Sequence, residues 1–283
     1  MGLLYLMGQA GYDPDAQTYF NAVETADGQA LELAVKAAIN DFVKGCKADG
    51  IWSAIKASCI LAGARTLTGA LQPLVGTAPT NFNFVAGDYD RKTGLKGNGS
   101  TKYLNSNRNN NADPLNSKHL SVFVTQKATN IGILIGTDDG VGGSRIVSHT
   151  TANISSYSVN TDNNFKTVTG VGLSDFVGAS RASSSLINFR YSNGLVDSFS
   201  NTSAGPLNLD VLVFKRNSGT FTNARQSFYS IGEDLDLALL DTRLTRLMAE
   251  MQFAINTGLN ARSYDIDTLN YINAGYAAGG SLA

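Results

Sequence analysis

Leu186-Ile187-Asn188-Phe189-Arg190-Tyr191-Ser192-Asn193-Gly194-Leu195-Val196-Asp197-Ser198-Phe199-Ser200 carries the pattern that decides the fold. Apolar and polar residues alternate on either side of an Asn-Gly pair. Alternation with period two sends successive side chains to opposite faces of a β-strand. Asn-Gly tolerates the left-handed backbone of a tight hairpin. The stretch therefore reads as two antiparallel strands, Leu186 to Tyr191 and Leu195 to Ser200, joined by a turn.

Outward from this hairpin the same pattern recurs from about residue 80. Phe82 to Val85, Lys102 to Asn105, Leu120 to Gln126, Ile131 to Gly136, Ser144 to His149, Ile154 to Val159 and Asp210 to Lys215 all read as strands. Gly, Asn and Asp clusters separate them. Gly97-Asn98-Gly99-Ser100-Thr101 and Gly170 to Gly172 read as turns, since neither has the Lys and following helix of a phosphate loop. Short strands at near-regular spacing indicate a sandwich or barrel.

The flanks read as helical. Asp13-Pro14 is a helix start, with a capping carboxylate and Pro in the first turn, and Gly28 is its stop. Leu31, Ala34, Val35, Ala38, Ile39, Phe42 and Val43 share one face of a second helix that meets Gly45. Ile51, Trp52, Ile55, Cys59 and Ala62 fit a third. Gly69, Pro73, Gly76 and Pro79 then punctuate a linker. After the strands, Leu240, Leu244, Leu247, Met251 and Ile255 form a helical stripe, too short for a convincing coiled coil and better suited to packing on the sandwich. Tyr12, Asp13, Asp15, Tyr19, Asn21, Ala22, Ala26 and Gly28 recur in order as Tyr264, Asp265, Asp267, Tyr271, Asn273, Ala274, Ala278 and Gly280. A single duplication is not an array and reads as a reused helix–turn unit, with docking of both copies on equivalent surfaces of a shared assembly as the lesser alternative.

Composition restricts the function. Charged residues are only 16% of the chain and the net charge is −1. No basic field is available for phosphates, which disfavours nucleic acid as a partner. The apolar start, Met1 to Met7, is short and lacks the basic flank and cleavage site of a signal peptide, and no run could span a bilayer. Synthesis in the cytoplasm is the expectation, which leaves open a place on the outside of a particle released by lysis. Cys46 and Cys59 fit either a disulfide or two buried thiols, with thiols favoured because Cys packs as a small hydrophobe. Two cysteines and two separated histidines, His119 and His149, disfavour a structural zinc site, and no metal or cofactor is expected.

Catalytic patterns are sparse. Glycoside hydrolysis needs two carboxylates flanking the bond. The four glutamates, Glu24, Glu32, Glu233 and Glu250, all fall outside residues 33 to 232. Asp138-Asp139-Gly140 reads as a turn, with a calcium loop as the lesser alternative. There is no Gly-x-Ser-x-Gly elbow, and His119 and His149 read as strand residues rather than bases. No enzyme activity is expected. Carbohydrate binding asks for less: hydrogen-bonding side chains and an aromatic platform. Tyr103, Asn105, Asn107, Arg108, Asn109 and Asp113 form the candidate glycan-contact loop, against the alternative of a solvated loop.

Three stretches resemble a known family. Tyr89-Asp90-Arg91-Lys92-Thr93-Gly94-Leu95-Lys96-Gly97-Asn98-Gly99-Ser100-Thr101-Lys102-Tyr103-Leu104 resembles the opening strand of the concanavalin-A-like (laminin-G-like) domains of tailed-phage virion proteins. Ala224 to Leu235 resembles their closing strand and following helix. Ala38 to Leu67 resembles the helical segment that precedes such domains in phage and prophage proteins. The resemblance implies a virion structural protein (capsid decoration, head fibre, tail or baseplate) assembling in several copies with itself and other virion proteins. It brings no catalytic set. The alternative is a receptor-binding, lectin-like adhesin for host-surface polysaccharide.

The combined expectation is an α+β protein: an N-terminal small helical bundle, an antiparallel β-sandwich of the concanavalin-A-like jelly-roll type, and a C-terminal helical segment. Residues 1–75 would form a helical attachment module, 76–258 the sandwich with its trailing helix, and 259–283 a helical tail repeating the 12–28 motif.

Overall fold

The computed structural model describes residues 11–148, 155–169 and 173–258. The apolar start, His149, the Gly170 to Gly172 turn, the tail 259–283 and the second copy of the repeat lie outside the described residues.

The chain is α+β. Two helices, α1 (Pro14–Asp27) and α2 (Leu33–Ala48), precede strand β1 (Ile55–Ile60) and a single turn, α3 (Leu67–Ala70). Strands β2 (Thr80–Phe82), β3 (Tyr89–Asp90), β4 (Gly94–Lys96), β5 (Tyr103–Asn109), β6 (Lys118–Gln126), β7 (Gly132–Asp138) and β8 (Gly143–Ser148) follow. Then come β9 (Ser155–Thr161), β10 (Lys166–Val168), β11 (Asp175–Arg181), β12 (Leu186–Tyr191), β13 (Leu195–Ser200), β14 (Asp210–Val213) and β15 (Arg225–Gly232), and the chain continues into α4 (Leu237–Thr257). The larger sheet runs β13-β12-β11-β6-β15-β4-β3, with β1 also paired to β15; the smaller runs β10-β9-β8-β7-β14-β5-β2. Every pairing is antiparallel.

The opening hairpin forms as read. Tyr191 faces Leu195, which leaves a three-residue loop with Ser192, Asn193 and Gly194 all at positive φ. Asn-Gly supplies two of those positions, and Ser192 the third.

There are two cores in three layers. Between the sheets lie Leu104, Leu120, Val122, Leu134, Tyr157, Val177, Phe189, Val213 and Tyr229. The outer side of the larger sheet offers Phe123, Phe176 and Phe228 to α1, α2 and α4. The stripe on α4 behaves as read: Leu240, Leu244, Leu247 and Met251 are buried in this second core. The helix is fixed at its start by the Asp236 carboxylate, which accepts from Ala238 N and Leu239 N, as capping requires.

Two helical expectations are corrected. The segment expected as a third helix is β1, in the larger sheet beside the closing strand. Its residues are buried on both sides, between the inter-sheet core and the helices, so the alternation that marks a strand is absent. The second helix does not stop at Gly45. It runs to Ala48, because Gly45 is a packing position: a Cβ there would lie 2.8 Å from the Arg243 guanidinium of α4. Arg243 in turn pairs with Asp49 at 2.7 Å. Asp13 and Gly28 bound the first helix as expected. Cys46 and Cys59 are free and buried, and burial pushes both thiols up to about 12.

Candidate binding face on the smaller sheet

Leu104 packs between the sheets, so its neighbours Tyr103 and Asn105 point to the outer side of the smaller sheet. On the edge strand β2, Phe82 faces Tyr103 and Thr80 faces Asn105. The Phe82 and Tyr103 rings stack at 4.3 Å with 3° between their planes. The other side of Tyr103 carries the Lys215 ammonium at 4.2 Å from the ring centroid. Lys215 also lies 4.9 Å from the Phe221 centroid. Tyr103 is therefore enclosed between a ring and a cation. Phe82, at the sheet edge and 37% exposed, presents the open ring.

Polar groups surround this ring pair. Asn105 Nδ2 donates to Asp210 Oδ2 at 2.9 Å, and its Oδ1 accepts from Asn107 N at 2.8 Å. Asn107 Nδ2 donates to Ala78 O at 2.8 Å and to Thr80 Oγ1 at 3.1 Å. Asn107 sits at φ 55, in the left-handed region that Asn tolerates, and the β5–β14 register shifts there.

The bulge divides the six residues chosen from sequence. The stretch is a strand and a short turn rather than a loop, and Tyr103, Asn105 and Asn107 share the outer side. Arg108 and Asp113 form a separate buried group. Arg108 binds Asp113 through Nη2 and Nε, and Lys118 Nζ lies 2.9 Å from Asp113 Oδ2. Burial raises the Asp113 carboxyl, but Arg108 and Lys118 outweigh it and hold the group below its ordinary range. Asn109 caps the turn and donates to Asn208 at 2.9 Å. Sequence reasoning missed Phe82, Lys215 and Phe221, whose position depends on a fold-back far along the chain.

That fold-back is a hairpin in which Lys215 pairs with Phe221. It lies across the outer side of the smaller sheet. Asn217 Oδ1 accepts from Thr137 Oγ1 at 2.9 Å, and a Cβ at Gly132 would meet Thr222 at 2.5 Å. Consecutive hairpin residues point to opposite sides: Lys215 reaches Tyr103, and Arg216 reaches Asp138 at 3.1 Å.

Other candidate positions serve local structure. Asp139 Oδ1 accepts from Val141 N and Gly142 N, both at 2.9 Å, so Asp138-Asp139-Gly140 is a turn. Among the described residues no group of three or more His, Cys, Asp or Glu could hold a metal. Asn98 Oδ1 accepts three successive backbone N–H groups, making the Gly97 to Thr101 stretch a turn into β5. Each glutamate is in an ion pair, with Lys36, Arg91, Lys56 and Arg246 respectively. His119 is fully buried, with Nδ1 donating to Glu233 O at 2.6 Å and Nε2 accepting from Ser230 Oγ at 2.9 Å. A groove of about 470 Å³ beside the start of α4 is lined by Ser180, Asn188, Arg190, Val196 and Asp234. Its polar groups are largely engaged: Ser180 donates to Asp234, and Arg190 binds Asp241 at 2.7 Å.

No family model and no curated protein matches the chain. Solved structures similar to it include the binding domain of botulinum neurotoxin serotype D, at 12% identity and TM-score 0.45 over 68% of this chain and 51% of that one. The receptor-binding domain of the botulinum neurotoxin C/D mosaic serotype is similar at 11% identity and TM-score 0.44, over 69% and 51%. Trypanosoma rangeli sialidase is similar at 10% identity and TM-score 0.44, over 71% and 33%. The chain spans about half the length of the neurotoxin domains it matches.

Proposed function

We propose that this protein is a non-catalytic, lectin-like carbohydrate-binding protein whose site is the outer side of β2 and β5. One observation carries the reading: the parallel Phe82–Tyr103 stack at the sheet edge, with Thr80, Asn105, Asn107 and Asp210 on the same side. An exposed ring beside amides and a carboxylate matches a sugar, which offers C–H groups on one face and hydroxyls around its rim. The amides are already oriented by internal hydrogen bonds, so binding orders few side chains. The test is a glycan array probed with the full chain and with Phe82→Ala. Binding lost in the variant supports the reading; equal binding, or none by the wild type, overturns it.

Assembly on a phage particle is the second reading. It rests on the resemblance, and one observation favours it. The stretches resembling the opening and closing strands are far apart in sequence yet adjacent in the larger sheet, with Lys96 opposite Arg225 and Leu95 opposite Gln226. The preceding helical stretch contributes α2, which packs on α4 through Arg243 and Asp49. Detection of the protein by mass spectrometry in purified particles, at several copies per particle, supports this reading. Its absence from particles refutes it.

A further inference from the structure

Beyond the aromatic pair, the hairpin covers a second group of charges. Asp138 ends β7 and is fully buried. Its Oδ2 receives two guanidiniums, Arg145 Nη1 from β8 and Arg216 Nη1 from the hairpin. Its Oδ1 accepts from Gly140 N at 2.6 Å and from Ser218 Oγ at 3.5 Å. The carboxylate is thus saturated, and among the described residues no other carboxylate pairs with either arginine. Two positive charges share one negative charge. Arg145 lies under the Phe165 ring, 5.0 Å from its centroid, and is largely buried. Burial and the neighbouring Arg216 lower its pKa to about 10. Arg216 Nη2 has no partner among the described residues, and the Arg216 side chain is 28% exposed.

This group shares a face with the aromatic pair. Cross-strand register runs Asn105, Leu212, Gly136, Arg145 along one row. Three strand spacings separate Asn105 from Arg145, about 14 Å. Lys215, the other cation on the hairpin, makes no ion pair among the described residues and lies on the aromatic side. The face therefore carries three cations, Lys215 and Arg216 on the hairpin and Arg145 on β8, against two carboxylates, Asp138, which both arginines engage, and Asp210 beside Asn105. A guanidinium with free donors pairs in bidentate fashion with two oxygens of an oxyanion, a carboxylate or a tetrahedral one alike.

We propose that the face takes an acidic oligosaccharide, with a carboxylate or sulfate group held by Arg216 beside Arg145 and a sugar ring seated at Phe82. This rests on the carbohydrate-binding reading above and names its ligand class. The test uses the full chain, Arg216→Gln and Phe82→Ala. First, thermal unfolding is followed in sodium sulfate and in sodium chloride at equal ionic strength. The wild type should gain several degrees more in sulfate than in chloride, and Arg216→Gln should lose that increment. Second, calorimetric titration compares oligogalacturonate with a neutral oligogalactoside. The wild type should bind the acidic chain at least about tenfold more tightly, and Arg216→Gln should bind both alike. A sulfate increment without preference for the acidic saccharide would mean a site for free inorganic oxyanions and would overturn the proposal. So would a preference that survives Arg216→Gln. Loss of both saccharides in the wild type, with the sulfate increment intact, would instead sink the carbohydrate reading. Phe82→Ala should weaken both saccharides and leave the sulfate increment unchanged.

Discussion

Lowering the pH should unload stability through one residue, His119. Its ring is fully buried and neutral, with Nδ1–H fixed on Glu233 O and Nε2 accepting from Ser230, which is itself bonded to Ser121 at 2.7 Å. Burial lowers its pKa from 6.5 to about 4. The unfolded chain therefore takes up a proton at a higher pH than the folded chain does. The stabilisation from neutral His119 is present above pH 6.5, fades as pH falls, and is gone below about pH 4. A gap of about 2.5 pK units corresponds to about 3 kcal/mol, of which about 2 kcal/mol is lost by pH 5. Urea unfolding at pH 7.5, 5 and 4 measures this directly. Carboxylates also weaken folded proteins in acid, so the comparison is with His119→Gln, which keeps a donor and an acceptor but does not titrate. The wild type should lose about 3 kcal/mol more than the variant between pH 7.5 and 4. An equal loss in both proteins refutes the assignment. Should the variant fail to fold, NMR titration decides: the chain has two histidines, and one imidazole should remain neutral through pH 5. Two imidazoles titrating near 6.5 would refute it equally.

Other consequences follow from the same packing. Leu244→Ala, at a fully buried position between α4 and its neighbours, should cost about 2–5 kcal/mol in denaturant unfolding. Gly94→Ala should be at least as damaging for its size, since Gly94 has φ 96 and a Cβ there would lie 2.2 Å from Gln226 O; thermal unfolding reads the loss. Cys46 and Cys59 should resist a thiol reagent at pH 8 in the native protein and react fully in urea, because both are buried. Phe82→Ala should leave the unfolding free energy within about 0.5–1 kcal/mol of wild type, since the ring is partly exposed, which separates its binding role from a folding role.

The sequence was readable where one face of an element meets water. The hairpin of β12 and β13 alternates because Ile187, Phe189 and Tyr191 face the inter-sheet core while Asn188 and Arg190 face the other side, and β13, at the sheet edge, leaves Leu195 and Val196 in solvent. The α4 stripe was legible for the same reason. Strands buried on both sides were not. β1 lies between the inter-sheet core and the helices, so Ile55 and Cys59 at helical spacing gave the wrong period. β11, in the interior of the larger sheet, was missed because every residue from Phe176 to Arg181 is buried and no alternation remains. At the candidate face, Tyr103, Asn105 and Asn107 were legible as a polar aromatic cluster. The division of that cluster was not, because a bulge at Asn107 turns Arg108 toward Asp113. Phe82 and Lys215 become neighbours of Tyr103 only through strand pairing and the later hairpin, which local pattern does not encode.

The most direct test of the central claim is residue-resolved NMR of the full chain during titration with an acidic oligosaccharide. Shift changes should be confined to Thr80, Phe82, Tyr103, Asn105, Asn107, Lys215, Arg216 and Phe221. Changes centred instead on the groove at Arg190 and Val196, or no changes at saturating saccharide, would contradict it.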